Sequence, residues 1–257
     1  MSISQCHDHV TMLKVHKSAQ SGLGEKAYSA IREQILRGQL RLGAVLSRRK
    51  LAQSLGMSIL PVSEAIQRLE TEGLIESKPQ VGTRVRVPTE TDIRERFIIR
   101  EALEVQSARL VAERATFQQR RDLQRMAEDL DALYNRRATS DSDPEFLYVV
   151  HSYHLQLHMR IAEYSGCGAL MKLIDQNNLL VLNWMFDLVS DQPPLPPHFH
   201  RDLMEQLTGR SSDAAEVAMR QHVLYGLEDT VAAMARYAST PEDRWRIRGL
   251  SSPVVDA

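Results

Sequence analysis

The chain has 257 residues, a length that allows one large domain or two modest domains with separate cores. Its 32 Lys and Arg nearly balance its 33 Asp and Glu, but the balance changes along the chain. Residues 22–90 contain eleven basic and seven acidic residues, about +4, whereas residues 91–257 contain nineteen and twenty-five, about −6. We therefore expect two domains, of which only the N-terminal one has a charge suited to a polyanionic partner.

The cysteine content and hydropathy exclude two classes of protein. Cys6 and Cys167 are too few and too far apart to form a disulfide framework. Neither a secretory signal nor an apolar segment of membrane length is evident in the sequence. We expect a cytoplasmic protein without membrane contact.

The N-terminal third has the pattern of a winged helix-turn-helix. Residues 1–21 are polar and aperiodic, which predicts a flexible arm. Apolar periodicity, cap residues and terminating glycines then predict three helices, from Glu25 to Arg37, from Ser47 to Leu55 and from Ser58 to Gly73. Two strands follow, Leu74 to Ser77 and Arg84 to Val87, joined by a turn that ends at Gly82. A short helix, a glycine turn, a second helix and a β-hairpin wing indicate that residues 22–88 bind DNA.

The remainder of the chain is predicted to be helical. A short linker at Pro88 to Glu90 precedes it. The predicted helices are 91–114, 116–137, 144–165, 168–189, 197–208 and 213–237. We assign residues 91–238 to an all-α domain and 239–257 to a C-terminal tail, so the expected fold class is mainly α.

Motifs in both halves resemble one family of bacterial regulators. The N-terminal half is similar to the GntR family in the segments Leu51–Ser58, Pro61–Ile75 and Gly82–Val85. The C-terminal half is similar to the FCD-type sensor domain of the FadR branch, on Arg100–Glu104, Leu157–Gly166 and the segments around His200 and His222. The resemblance implies an antiparallel helical bundle that dimerises and binds a carboxylic-acid effector. It also implies a homodimeric transcriptional regulator, most commonly a repressor, that binds a palindromic operator and is not an enzyme.

Four histidines form the candidate metal site. His154 and His158 are one helical turn apart, so both rings can converge on one point, and His200 and His222 follow later in the chain. The resemblance implies metal ligands at three of these positions, with an aspartate where this chain has His154. An all-imidazole set favours zinc, with nickel as the alternative, over manganese, and with a divalent ion it carries two positive charges. His151 shares a helix face with His154 and is an alternative ligand or a partner of one.

The resemblance implies that Arg100 faces the effector pocket and binds a carboxylate through its planar guanidinium. The alternative is an ion pair between Arg100 and Glu104 on a solvated helix face. Asn178 is a further candidate for the same cavity, with the exposed side of its predicted helix as the alternative position.

The expected DNA contacts lie around the helix-turn-helix and the wing. Basic side chains suit phosphates, whereas Ser63 and Gln67 can reach base edges. The candidates are Arg48, Arg49, Lys50, Ser58, Ser63, Gln67, Arg68, Gly82 and Arg84. Relatives usually carry arginines where this chain has Ile59 and Ser63, so their operator sequences do not transfer to this protein.

Three alternatives to an effector-controlled regulator remain open. In the first, the metal itself is the signal; in the second, the metal is purely structural. In the third, the histidines form a catalytic centre, but such a zinc site usually keeps three protein ligands and a nearby general base. Glu163 is five residues from His158 and therefore points elsewhere on the helix.

Overall fold

The structure is a computed structural model that describes residues 22–79, 82–139, 144–176 and 195–239. The predicted arm, nearly all of the predicted tail, and Asn178 lie outside the described residues. The chain divides into two compact units, with the boundary in the sequence between Pro88 and Thr89, and each unit is described by itself.

The N-terminal unit is a three-helix head with a small sheet. Its helices are α1 (Leu23–Leu36), α2 (Arg48–Ser54) and α3 (Ile59–Thr71), and its strands are β1 (Val45–Leu46), β2 (Ile75–Lys78) and β3 (Gly82–Val85). The sheet is antiparallel in the order β1, β3, β2, with Ile75 opposite Val85 and Val45 opposite Arg84. The predicted helix-turn-helix and hairpin are confirmed, whereas the two-residue strand β1 was not predicted.

The core of the head forms between α1 and α3. Ile31 and Ile35 of α1 and Val62, Ile66 and Leu69 of α3 are all almost completely buried, and α1 packs against α3. These positions recur at helical spacing, so each helix buries one stripe. Helix α3, the second helix of the helix-turn-helix, is therefore held in place by this apolar core.

The C-terminal unit is helical throughout the residues described. Its helices are α4 (Glu90–Arg114), α5 (Phe117–Thr139), α6 (Pro144–Tyr164), α7 (Gly168–Gln176), α8 (Phe199–Leu207), α9 (Ser212–Leu224) and α10 (Leu227–Ser239). A capping box between Thr89 and Asp92 begins α4 directly after the unit boundary. The mainly α fold class, with its winged helix-turn-helix, is confirmed.

Helix α4 is the centre of this unit, because it packs against α6, α7, α8, α9 and α10. Helix α5 packs against α6 and α8, and α8 packs against α9. The prediction of one helix from 213 to 237 is wrong: Gly226, at φ +76°, separates α9 from α10. No helix among the described residues combines the length and apolar character needed to cross a bilayer.

Ser47 and Ser58 precede two helices of the head, and only Ser47 makes a side-chain capping hydrogen bond. The pair therefore gives a matched test of what that bond contributes to helix stability. The Ser47 side chain accepts a hydrogen bond from the backbone N–H of Lys50, whereas Ser58 makes no capping bond. Ser47→Ala is expected to lower the opening free energy of α2 by about 1 kcal/mol, and Ser58→Ala to leave that of α3 nearly unchanged. Hydrogen exchange of head peptides measures both, with an acceleration of about fivefold expected in α2 for Ser47→Ala. Equal effects of the two variants would contradict the assignment.

Candidate metal centre and nucleic-acid interface

Four histidine rings meet in the C-terminal unit, delivered by three helices. His154 and His158 lie one turn apart on α6, His200 lies in the first turn of α8, and His222 lies near the end of α9. The ring centroid of His154 lies 4.7, 4.9 and 5.8 Å from those of His158, His200 and His222. Three of the rings are buried and His154 is half-buried. The four rings that the sequence singled out therefore lie close together, but among the described residues the group whose ligand atoms could hold one ion consists of His154, His158 and His222, without His200.

The Nε2 atoms of three rings face one another. Nε2 of His158 lies 2.9 Å from Nε2 of His154 and 3.1 Å from Nε2 of His222. Ligand atoms of these three residues lie within 4.8 Å of one another. An imidazole nitrogen binds a metal through its lone pair. The three nitrogens are thus close enough to share one ion.

A carboxylate lies behind two of the rings. Nδ1 of His158 lies 2.5 Å from Oε2 of Glu104, a contact that is an ion pair only when the ring is protonated. Nδ1 of His200 donates to Oδ1 of Asp131 at 2.7 Å. Because a carboxylate can only accept, we assign a proton to Nδ1 of each of these two rings, which leaves Nε2 as the atom that can bind a metal. Histidines that bind metals usually have such partners.

The other two rings differ at Nδ1. Nδ1 of His154 lies 3.1 Å from the hydroxyl of Tyr134, and the Tyr134 ring also stacks on His200. Nδ1 of His222 is buried without a hydrogen-bond partner among the described residues. Tyr134 and the two carboxylates therefore orient three of the four rings.

Burial favours the neutral form of three of the rings, those of His154, His200 and His222. It lowers the pKa of His154 and of His222 well below the usual value, and the neighbouring histidines lower both further. Burial also lowers the pKa of His200, although Asp131 opposes this. Nε2 of His200 is buried and has no hydrogen-bond partner in the described part of the chain. A buried, unpaired lone pair costs free energy that a bound cation would recover, so the donor set fits a transition-metal ion.

Arg100 and Glu104 form a buried ion pair one turn apart on α4. Nε of Arg100 donates to Oε1 of Glu104 at 2.8 Å, and each residue is 3% exposed. Burial raises the pKa of Glu104, but Arg100 and His158 together lower it to about 2. The pairing expected as the alternative to effector binding is therefore present, but it is buried rather than on a solvated face.

The Arg100 guanidinium is buried and lies over the Phe97 ring, with Cζ 5.3 Å from the ring centroid. Within the described residues its two Nη groups make no hydrogen bond, and its charge contributes to the lowered pKa values of His154 and His222. His151 is buried but does not belong to the group of three facing histidines. The Arg100 guanidinium thus lies near enough to act on the histidine cluster, and its Nη groups make no hydrogen bond within the described residues.

In the head, three exposed cations begin α2. Arg48, Arg49 and Lys50 are consecutive, and over the ranges that the structure describes their side chains form no ion pair or hydrogen bond. Cations in such a position can bind phosphates without rearranging the protein.

The other predicted DNA contacts of α3 and the wing are more varied. Ser58 and Gln67 are exposed and Ser63 is half-buried, while Gly82 begins β3 in an exposed position at φ +94°. The polar side chains of Ser58 and Gln67 are therefore accessible at α3, and that of Ser63 is partly so. Gly82 adopts a backbone conformation that favours glycine.

Two predicted contacts are already engaged within the head. Arg68 binds Glu25 at 2.7 Å and Glu72 at 3.1 Å. Arg84 donates to Glu76, which lies directly opposite it on β2. Their positive charges are therefore largely neutralised inside the head.

The roles of Asp131 and Tyr134 beside the histidine rings, and the contact of Glu104 with His158, were not predicted from the sequence. Oδ1 and Oδ2 of Asp131 also accept the backbone N–H groups of His200 and Arg201 at 3.0 Å. Asp131 thus orients a ring and caps α8, whose own N-cap residue makes no side-chain bond. The available signal was an acidic residue within an apolar helix stripe, because Asp131 follows the buried Leu123 and Ala127 at four-residue spacing.

Comparison with known proteins agrees with this architecture. The family described as "Bacterial regulatory proteins, gntR family" matches residues 23–85, and the FCD domain matches residues 95–225. A probable D-xylose utilization operon transcriptional repressor of Paenarthrobacter nicotinovorans is 29% identical over 74% of this chain and 80% of its own. The HTH-type transcriptional repressor RspR of Escherichia coli is 27% identical over 78% of this chain and 86% of its own.

Solved structures show the same fold. A putative GntR transcriptional regulator from Rhodococcus sp. RHA1 superposes with a TM-score of 0.62, at 21% identity, over 83% of this chain and 97% of that one. E. coli McbR/YncC superposes with a TM-score of 0.59, also at 21% identity, over 86% of this chain and 100% of that one. The two relatives from Paenarthrobacter nicotinovorans and Escherichia coli described above are named as transcriptional repressors. The chain belongs to the GntR family of DNA-binding transcriptional regulators, in the FadR-like group that carries an FCD domain.

Proposed function

We propose that this regulator is a cytoplasmic repressor whose operator affinity is controlled by a small carboxylate bound at a metal centre in the FCD domain. The observation that carries the proposal is the convergence of imidazole lone pairs, with Asp131 and Glu104 placed behind two of the rings. The relatives named as repressors support the direction of control.

His154, His158, His200 and His222 would hold the metal, which we propose to be zinc, with nickel as the alternative. Neutral imidazoles suit borderline divalent ions better than manganese. When bound, the ion would supply a positive charge that attracts an anionic ligand. His154 replaces the aspartate that the family resemblance implies, so this chain contributes no anionic ligand of its own.

The charge of the surroundings favours a carboxylate effector. An all-histidine centre alone would carry the two charges of the ion, but Glu104 and Asp131 lie directly behind it. These carboxylates offset the ion, and Arg100 leaves the site with one positive charge. The free Nη groups of Arg100 suit a planar carboxylate.

Glu104 joins the two halves of this site. One of its oxygens binds Arg100 and the other contacts His158, so a shift of the guanidinium toward a ligand also moves the partner of a metal-binding ring. Arg100 and Glu104 lie on α4, which begins directly after the boundary with the head. An effector controls DNA affinity only if it binds one arrangement of the protein better than the other. We propose that α4 carries that difference to the DNA-binding heads of a homodimer on a palindromic operator.

The metal content of the purified protein tests the centre. We expect about one zinc or nickel ion per chain, since the ligands define one site. The variant His158→Ala with His200→Ala is expected to lose it, whereas His198→Asn, an exposed neighbour on the same segment, is expected to retain it. Elemental analysis measures all three proteins. Absence of metal from the wild type, or equal loss in the control, would overturn the centre.

The operator Kd is measured first with metal alone and then with metal plus simple mono- and dicarboxylates. The comparison distinguishes control by a carboxylate effector from control by the metal itself. We expect at least one carboxylate to change the operator Kd by roughly 5- to 150-fold. In Arg100→Lys, which keeps the charge but loses the planar fork, the carboxylate concentration for half-effect should rise at least about tenfold. Arg114→Lys, exposed on the same helix, is the control. Fluorescence anisotropy of labelled operator reports each Kd.

A full response to metal alone, with no effect of any carboxylate, would instead support a metal sensor. No response to either would leave the metal a structural role. In that case chelation should unfold the C-terminal unit, which circular dichroism would detect.

The role of Glu104 in balancing buried charge is tested by stability. Glu104→Gln leaves the Arg100 charge buried without its anion, so a loss of about 3–5 kcal/mol in unfolding free energy is expected. Glu101→Gln removes an ion pair to Arg220 on the more exposed side of α4 and should cost less than about 1 kcal/mol. Urea unfolding of the metal-free proteins measures both. Similar losses in the two variants would contradict the buried charge balance.

A further inference from the structure

The first turn of α3 exposes two large apolar side chains. Ile59 is 53% exposed and Leu60 is 68% exposed, although Val62 and Ile66 of the same helix are completely buried. Both follow Ser58 directly, at the start of the second helix of the helix-turn-helix. Single exposed apolar residues are common on protein surfaces, but two adjacent ones lie here at the position that enters the major groove.

The accessible edge of α3 that continues from these residues is uncharged. Ile59, Ser63 and Gln67 recur every four residues and therefore share one face. Glu64 is the one charged residue between Ser58 and Gln67, and its carboxylate lies against Gly24 of α1, where a β-carbon would sit 2.7 Å from Oε2. The face thus has no cation to bind the two acceptors of guanine.

The cations of the head lie elsewhere. Arg48, Arg49 and Lys50 begin α2, the helix that precedes the reading helix, and they are exposed. Phosphate contacts from such residues provide affinity and register but carry no sequence information. The side chains of α3 that reach the groove are placed to discriminate between bases.

We infer that Ile59 and Leu60 recognise thymine through apolar contact with its C5-methyl group. The thymine methyl is the apolar feature that the four bases present in the major groove, and apolar side chains are its usual partners. Gln67, on the same face, suits the N6 and N7 groups of adenine. The half-site that this head selects is accordingly rich in A·T pairs at the positions facing the first turn of α3. This inference depends on DNA binding by the family, not on the proposed metal or effector.

Replacement of thymine by uracil tests the inference, because it removes only the methyl group. Duplexes are first selected from a random-sequence library with the purified full-length protein, and each thymine of the half-site is then replaced in turn. Loss of one buried methyl should weaken binding by about fourfold. We expect such a loss at one or two thymines of each half-site, measured as operator Kd by fluorescence anisotropy.

Variants assign the effect to the two side chains. In Ile59→Ser or Leu60→Ser, thymine and uracil duplexes should bind equally at the position that each residue contacts. Leu23→Ser is the matched control, since Leu23 is 59% exposed at the start of α1 in the same head, and it should keep the thymine preference. Circular dichroism confirms that the variants are folded.

Several outcomes would overturn the inference. These are a wild type insensitive to every thymine replacement, a preference that persists unchanged in both variants, and selected half-sites that contain guanine at these positions. If the library selection enriched no sequence, both the inference and sequence-specific operator recognition would be overturned. A change of oligomeric state in both variants, with thymine preference intact, would show that this surface binds a second copy of the chain.

Discussion

The carboxylate of Glu104 is the constraint on which the candidate site depends. It is ionised and almost completely buried, and a buried charge is tolerated only when it is paired. Its two oxygens face Arg100 and His158, so two cationic or polarisable groups from α4 and α6 must approach it at once. Helix α4 is also the helix around which the unit packs. The pairing of Glu104 therefore lies within the core and also places a carboxylate beside the His158 ring.

Asp131 imposes a second, similar constraint from α5. It binds the ring of His200 and two backbone N–H groups at the start of α8, so the position of the ring is tied to the beginning of its helix. Burial raises the pKa of this carboxyl, but the bonds from His200 and Arg201 lower it below the usual value. The two carboxylates thus contact Nδ1 of two rings from different helices, and within the described part of the chain Nε2 of each ring is left without a carboxylate partner.

Much of the fold, but less of the site, could be predicted from the sequence. Apolar periodicity and caps are local signals, and they placed α1 to α6 within a few residues of their observed bounds. Strand β1 is too short to produce a periodic signal, and the break at Gly226 was hidden by continuous helical patterning on both sides. The His154 and His158 pair was visible because its spacing is local. The contacts of Asp131 with His200 and of Glu104 with His158 join residues 69 and 54 positions apart, so only tertiary packing could show them.

The departures that the family resemblance implies for this chain lie in its two proposed binding surfaces. In the proposed metal centre, His154 stands where the resemblance implies an anionic ligand, so an anion would come from the effector or from the carboxylates behind the rings. In the head, Ile59 and Ser63 stand where the resemblance implies arginines, and we propose that affinity and base discrimination are divided between α2 and α3. Neither departure touches the cores, which Val62, Ile66 and Leu157 help to fill. A shared fold can therefore keep its packing while the chemistry of its proposed binding surfaces changes independently.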